Sequence, residues 1–279
     1  MYYINSSWVL LFYYYLKVSN LSGIFLFICF AVKLPIYGLH YWLPIAHVEA
    51  PTFGSVILAS LLLKLGGVGL FRVLPIIRLV TLKFYFLSYF ILFGIFSVII
   101  CCIQSDFKRL IAYSSISHII VVPLLVISSN IMSIQRIIFI IFFHGLSSTL
   151  LFFSVGILYT IFSSRQLILI RGLFLISPFF RFFLVLSFFY TMSAPPFPSY
   201  IAEVYFIFST YFLSSYILVF YIPFIFFGLV YNLNWFTSIL IGSFIYYGYS
   251  NVKLRFIFYY PFILVIIFSF FSIFLLYCS

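Results

Sequence analysis

Acidic residues are almost missing from this chain. Three Asp and Glu stand against 14 Lys and Arg in 279 residues, and all charged residues together make up 6%. An ordinary soluble domain carries about 25%. Hydrophobic residues make up 66%, more apolar surface than any soluble domain needs. Cysteine is also scarce. Cys29, Cys101, Cys102 and Cys278 show neither metal-ligand nor redox spacing, which argues against a cofactor held through sulfur. They read as small apolar residues. No basic n-region or small-residue cleavage site opens the chain, because Tyr2, Tyr3 and Asn5 lead straight into apolar sequence. Clustered basic residues are missing as well. The net charge of +11 comes from lysines and arginines scattered singly between apolar runs. That argues against nucleic acid as a partner and suits loops beside anionic lipid.

What is present is a series of long apolar runs. They lack the alternating ten-residue pattern of a membrane barrel and are apolar on every face, so they read as membrane-spanning helices of about 20 residues. The expected fold is all-α, a multi-pass transmembrane helix bundle of about nine passes. The runs lie near Trp8–Leu16, Leu21–Leu43, Thr52–Phe71, Phe84–Ile103, Ile111–Ser128, Ile134–Phe162, Phe179–Ser214, Tyr216–Ile241 and Phe256–Tyr277. The 42 Phe and 24 Tyr hint at an AT-rich gene, as in an organelle genome. Loop charges orient the bundle only weakly. Lys108, Arg109, Arg165, Arg171, Lys253 and Arg255 fall on one side, against Lys17, Arg72, Arg78, Lys83 and Arg136, and the first side is favoured as matrix or cytoplasm.

Inside these runs stand a few ionisable side chains. Lys33 lies about 12 residues into its run, ~18 Å along a helix and so near the bilayer centre. Lys64 lies past the middle of the next run, too deep to snorkel fully to an interface. A mid-membrane lysine costs roughly 2.5–3.5 kcal/mol on insertion scales, and such residues are functional candidates. Leu34-Pro35 breaks the helix beside Lys33, and Ser193-Ala194-Pro195-Pro196-Phe197-Pro198-Ser199 cuts a later run just before Glu203. Non-helical backbone at that depth implies protein or water around it, and paired interruptions point to an inverted-repeat transporter site. His118 with Ser114, and His144 with Ser147 or Ser148, share helix faces at similar depth, where proton carriage and satisfied core packing are both open readings. His47 and Glu49 follow Trp42, an interfacial anchor, in an ordered loop that is either shaped by local hydrogen bonds or used directly in chemistry. Asp106 beside Lys108 and Arg109 reads as a loop ion pair worth little if exposed.

The stretches Lys33 to Pro44 (KLPIYGLHYWLP), Ala46 to Pro51 (AHVEAP), Leu63 to Gly67 (LKLGG), Asp106 to His118 (DFKRLIAYSSISH) and His144 to Ser148 (HGLSS), with Ala194-Pro195-Pro196 ahead of Glu203, carry a resemblance. Together they resemble the chain 4 family of respiratory NADH–ubiquinone oxidoreductase, the antiporter-like membrane subunits of complex I. Sister chains 2 and 5 share the central lysines but not AHVEAP. The resemblance covers nearly the whole chain and is weakest before Leu21 and after Ser214.

The resemblance implies an antiporter-like inverted-repeat fold with two broken helices. Residues 1–83 would be the last three helices of an incomplete first repeat, 84–241 the second five-helix repeat, and 242–279 a C-terminal transmembrane helix. The family's mid-membrane glutamate would lie upstream of Met1, which suggests an N-terminally incomplete sequence. The implied proton relay is Lys33, Lys64, His118, His144 and Glu203. Electron transfer from NADH to ubiquinone elsewhere in the complex would drive it, with NAD, FMN, iron–sulfur clusters and ubiquinone held by other subunits and no metal or cofactor by this chain. The implied partners are the neighbouring antiporter-like subunits and the lipid bilayer, and the implied location is the mitochondrial inner membrane. Two rivals stay open: an Mrp-type sodium/proton antiporter subunit, and a purely structural membrane piece.

Overall fold

The structure, a computed structural model, describes residues 20–36, 38–73, 83–123, 131–171, 178–195, 197–213, 215–241, 260–267 and 269. The run at Trp8–Leu16, the loop residues Arg78, Lys253 and Arg255, and most of the run at Phe256–Tyr277 lie outside them. The described residues are helical, with no strand beyond a single antiparallel bridge between Asp106 and Gln166.

The helices are α1 (Asn20–Lys33), α2 (Trp42–Glu49), α3 (Thr52–Ile57), α4 (Leu63–Val73), α5 (Lys83–Ile103), α6 (Phe107–Ile119), α7 (Ile131–Phe162), α8 (Pro178–Thr191), α9 (Pro198–Leu213) and α10 (Ser215–Ile241). A π-helical stretch, Leu58–Leu62, joins α3 to α4, so these run as one continuous helix. Among the described residues, three stretches are long and apolar enough to cross a membrane: Thr52–Leu70, Ile137–Phe162 and Tyr221–Leu240. Tyr89–Ile103 and Pro178–Thr191 are shorter apolar helices.

Two chain interruptions have local causes. α1 ends at Lys33, where Pro35 brings no N–H. The chain then turns through Gly38, whose φ of +97° suits a residue without a Cβ. Trp42 Nε1 donates to the Val32 carbonyl at 3.0 Å, so this ring, expected as an interfacial anchor, ties α2 back to the last turn of α1. α8 ends at Thr191. Ser193 takes the left-handed region at φ 52°, and Pro198 opens α9 at a first-turn position where its missing N–H has no helical partner to lose.

α7 is the hub, packing against α3, the π stretch, α4, α6, α8 and α9. α5 lies between α6 and α10, and α1 packs on α4. Buried apolar side chains such as Leu34, Leu43, Phe107, Phe152, Phe180 and Phe188 fill the interior. Large apolar side chains such as Phe53, Leu61, Phe182 and Phe226 stay exposed on the outside, as a lipid-facing surface requires.

Candidate functional site

The continuous helix from Thr52 to Val73 widens just before Lys64. A π turn makes room there, and Lys64 Nζ folds back to donate to the carbonyl of Ala59. The lysine stem lies against Gly145 of α7, where a Cβ would stand 3.1 Å from Lys64 Cε. A glycine at this point lets the lysine reach the middle of α7. Next to it, His144 faces His118 of α6, with ring centroids 5.4 Å apart.

Three small cavities run through these groups. The first is lined by Leu34, Lys64, His118 and His144. The second is lined by His118, His144, Ser147, Tyr190, Ser193 and Glu203. The third is lined by Ser117, His118, Thr191, Glu203, Tyr231 and Asn232. Their volumes are about 10, 40 and 30 Å³. A cavity holding a water needs at least about 10–15 Å³ by this kind of measure. The two beside Glu203 exceed that, and the one beside Lys64 sits at its edge. Glu203 is held from the α8–α9 interruption, where Ser193 Oγ donates to Glu203 Oε1 at 2.6 Å. Ser199 Oγ donates to the Tyr190 carbonyl at 2.8 Å and closes the same turn. Thr191 Oγ1 lies 3.5 Å from Asn232 Oδ1 on the far side.

Four of the five expected relay residues therefore meet along one line: Lys64, His144, His118 and Glu203. Lys33 does not join it. The residue is exposed at the end of α1, and its Cβ lies beside Gly66. The serines that share faces with the histidines bond their own helices instead. Ser114 donates to the Ile111 carbonyl at 2.9 Å and Ser147 to the His144 carbonyl at 3.0 Å. His144 Nε2 is buried with no hydrogen-bond partner among the described residues. Thr191, Ser193, Tyr231 and Asn232 complete the site, beyond the residues that the sequence predicts for it. Asn232, one of two amides in an otherwise apolar helix, is the sequence signal for that wall.

A second polar cluster closes one end of the bundle. His47 is not in a loop: it sits inside α2, fully buried. Lys108 is buried and donates to the Ala50 carbonyl at 2.8 Å, while Arg165 donates to the Val48 carbonyl. Asp106 pairs with Arg109 at 3.3 Å on the exposed side, so Lys108 is not its partner. Burial, and then the nearby Arg165, pull the Lys108 ammonium below its ordinary range. No group of three or more His, Cys, Asp and Glu among the described residues is placed to hold a metal.

The pattern of a transmembrane family described as NADH:quinone oxidoreductase/Mrp antiporter matches residues 9–230. The chain is similar to NADH-ubiquinone oxidoreductase chain 4 of Chondrus crispus, 36% identical over 239 residues, which is 82% of this chain and 48% of that protein. It is similar to the same-named protein of Locusta migratoria, 37% identical over 228 residues, or 79% of this chain and 51% of that one. The chain thus spans about half the length of these curated relatives. Its fold matches a chain of respiratory complex I from Thermus thermophilus with bound NADH at a TM-score of 0.79 and 22% identity, covering 89% of this chain and 53% of that one. At that identity the match speaks for the fold alone.

Proposed function

Because the chain belongs to the transmembrane family shared by NADH:quinone oxidoreductase and Mrp antiporter subunits, we propose that it works as a proton-translocating membrane subunit of respiratory complex I, of the chain 4 type. The observation that carries this reading is the run of three cavities that share His118, two of them reaching Glu203 and one reaching Lys64. Protons pass between the Lys64 amine, the imidazoles of His144 and His118, and the Glu203 carboxylate. Each of these groups can bind and release a proton, and the apolar surroundings keep bulk water out. Lys33, exposed beside the interruption and off this line, would join the relay only through groups from another part of the assembly.

On this reading the fold has nine passes in two inverted repeats with broken helices at Lys33–Gly38 and Ser193–Ser199. Residues 1–83 end the first repeat, 84–241 form the second, and 242–279 add a terminal helix. The subunit sits in the mitochondrial inner membrane among other antiporter-like subunits, and electron transfer from NADH to ubiquinone takes place on other chains. An Mrp-type antiporter is the second reading, supported by the shared family. Sodium-dependent transport without NADH oxidation would favour it.

The test is a pair of variants in the full-length protein within its complex, reconstituted in vesicles. Glu203→Gln keeps shape and removes the titrating group, whereas Glu203→Asp keeps it. Glu203→Gln should lose most proton pumping and coupled NADH oxidation, and Glu203→Asp should keep a sizeable part. If Glu203 only accepts the Ser193 hydrogen bond, Gln serves about as well through its amide oxygen. Near-normal pumping by Glu203→Gln removes Glu203 from the relay.

A further inference from the structure

A second line of groups leads along α7 away from Lys64. Gly145, Phe152 and Tyr159 are spaced seven residues apart, two helical turns, so they fall on one stripe about 10 Å from each other. Each meets a side chain from another element. Gly145 lies against Lys64. Phe152 stacks on the His47 ring, with centroids 4.5 Å apart and planes 16° apart. Tyr159 lies under the Arg165 guanidinium, 5.3 Å from ring centre to Cζ. Gly156 keeps the stripe close to α3, since a Cβ there would stand 2.9 Å from Thr52. Lys64, His47 and Arg165 are thus rungs on one helix, with His47 in the middle.

The outer rung opens into a basin. It has a volume of about 480 Å³ and is lined among others by Val48, Asp106, Lys108, Ser164 and Arg165. Val48 is the residue after His47. The imidazole itself is fully buried, and neither ring nitrogen has a hydrogen-bond partner among the described residues. Stacking on Phe152 explains a flat ring at this position but not a polar one. A buried polar group left without a partner is costly, and so calls for a role.

We propose that His47 is a proton-transfer residue that connects the open basin to Lys64 and so feeds the axis from one side of the membrane. This rests on the relay reading above. A hydronium ion in the basin gives a proton to one ring nitrogen and is left as water. Once Lys64 has passed on its own proton, the imidazolium releases the proton on its other nitrogen toward the neutral Lys64 amine, which becomes the ammonium. No other bond forms or breaks, and the neutral ring remains as its other tautomer. Burial, then the ammonium groups of Lys108 and Lys64, hold this imidazole down at about 4. It therefore rests neutral, with one nitrogen ready to accept.

The test uses the full-length protein in its assembled complex, reconstituted in vesicles, with Lys64→Ala measured beside it. His47→Phe keeps the stack on Phe152 and removes titration, and His47→Gln keeps hydrogen bonding and removes titration. Both should lower proton pumping at saturating NADH by roughly tenfold or more, the scale of a lost acid–base group. Near-normal pumping by either variant, with Lys64→Ala impaired, overturns the role of His47 and leaves the axis standing. Near-normal pumping by Lys64→Ala overturns the axis and this branch with it. If neither His47 variant assembles, the imidazole is a packing element and the proposal is overturned.

Discussion

At the scale of single residues, Gly145 is a tight point of the site. A methyl group there would stand 3.1 Å from Lys64 Cε and would ask the lysine to give by a few tenths of an ångström. A branched side chain asks for more. Gly145→Ala should lower pumping modestly, and Gly145→Val should lower it roughly tenfold or more, because ~1 Å of misplacement can cost about a hundredfold. Vesicle pumping with a native-gel check of assembly reads both, and normal pumping by Gly145→Val would show that Lys64 does not depend on this contact. The positions of Lys64, His118, His144 and Glu203 were legible in the sequence, since an ionisable group inside an apolar run stands out by composition alone. Thr191, Ser193 and Tyr231 were not. Hydroxyls are common in these helices, and most of them, like Ser114 and Ser147, merely bond back to a carbonyl one turn earlier. Nothing local marks out the serine that faces a carboxylate. Lys33 shows the converse: its depth along α1 was readable, but the side from which its helix is covered was not.

Among the elements, α2 stands where the sequence predicts a loop around His47 and Glu49. Pro35 and Pro51 bracket it and Pro44 interrupts it, which argues against a helix, yet Pro44 falls in its first turn, where the missing N–H goes unneeded. Its last turn is held from outside. Lys108 reaches the Ala50 carbonyl and Arg165 the Val48 carbonyl, so two cations meet the negative end of a helix dipole. Neither contact could be read from the chain, because the partners lie 58 and 117 residues apart in sequence. Lys108→Met keeps the packed stem and removes the donor. It should cost about 1–3 kcal/mol and speed amide hydrogen exchange across residues 46–51, as measured by mass spectrometry on the solubilised complex. Unchanged exchange there would show that α2 holds without the lysine. The long helices were legible for the opposite reason: α5, α7 and α10 each follow an apolar run almost to the residue, and burial of the run decides the element. The π turn before Lys64 left no mark in composition.

For the whole molecule, the buried polar groups set a sensitivity to acid. The His47 imidazole is held at about 4 in the folded chain by burial and by Lys108 and Lys64, against an ordinary value of 6.5. Between those values the unfolded chain binds the proton and the folded chain does not, so stability rises with pH through this window. The contribution is complete above about 6.5 and is lost as pH falls toward 4, on the order of 3 kcal/mol in all. The thermal inactivation midpoint of the solubilised complex should therefore fall between pH 7 and pH 5, and His47→Phe should shrink that fall. An equal fall in the variant would assign the acid loss to other groups. The cavities beside Glu203 and Lys64 carry a different consequence. At about 10 to 40 Å³ they have room for isolated waters and not for an ion inside its hydration shell. A metal cation would have to shed most of its water to enter, whereas a proton travels by exchange between neighbours and needs no space of its own. On the proposed relay, this narrowness would act as a size filter, placing discrimination between protons and alkali cations in the packing rather than in any one charged side chain.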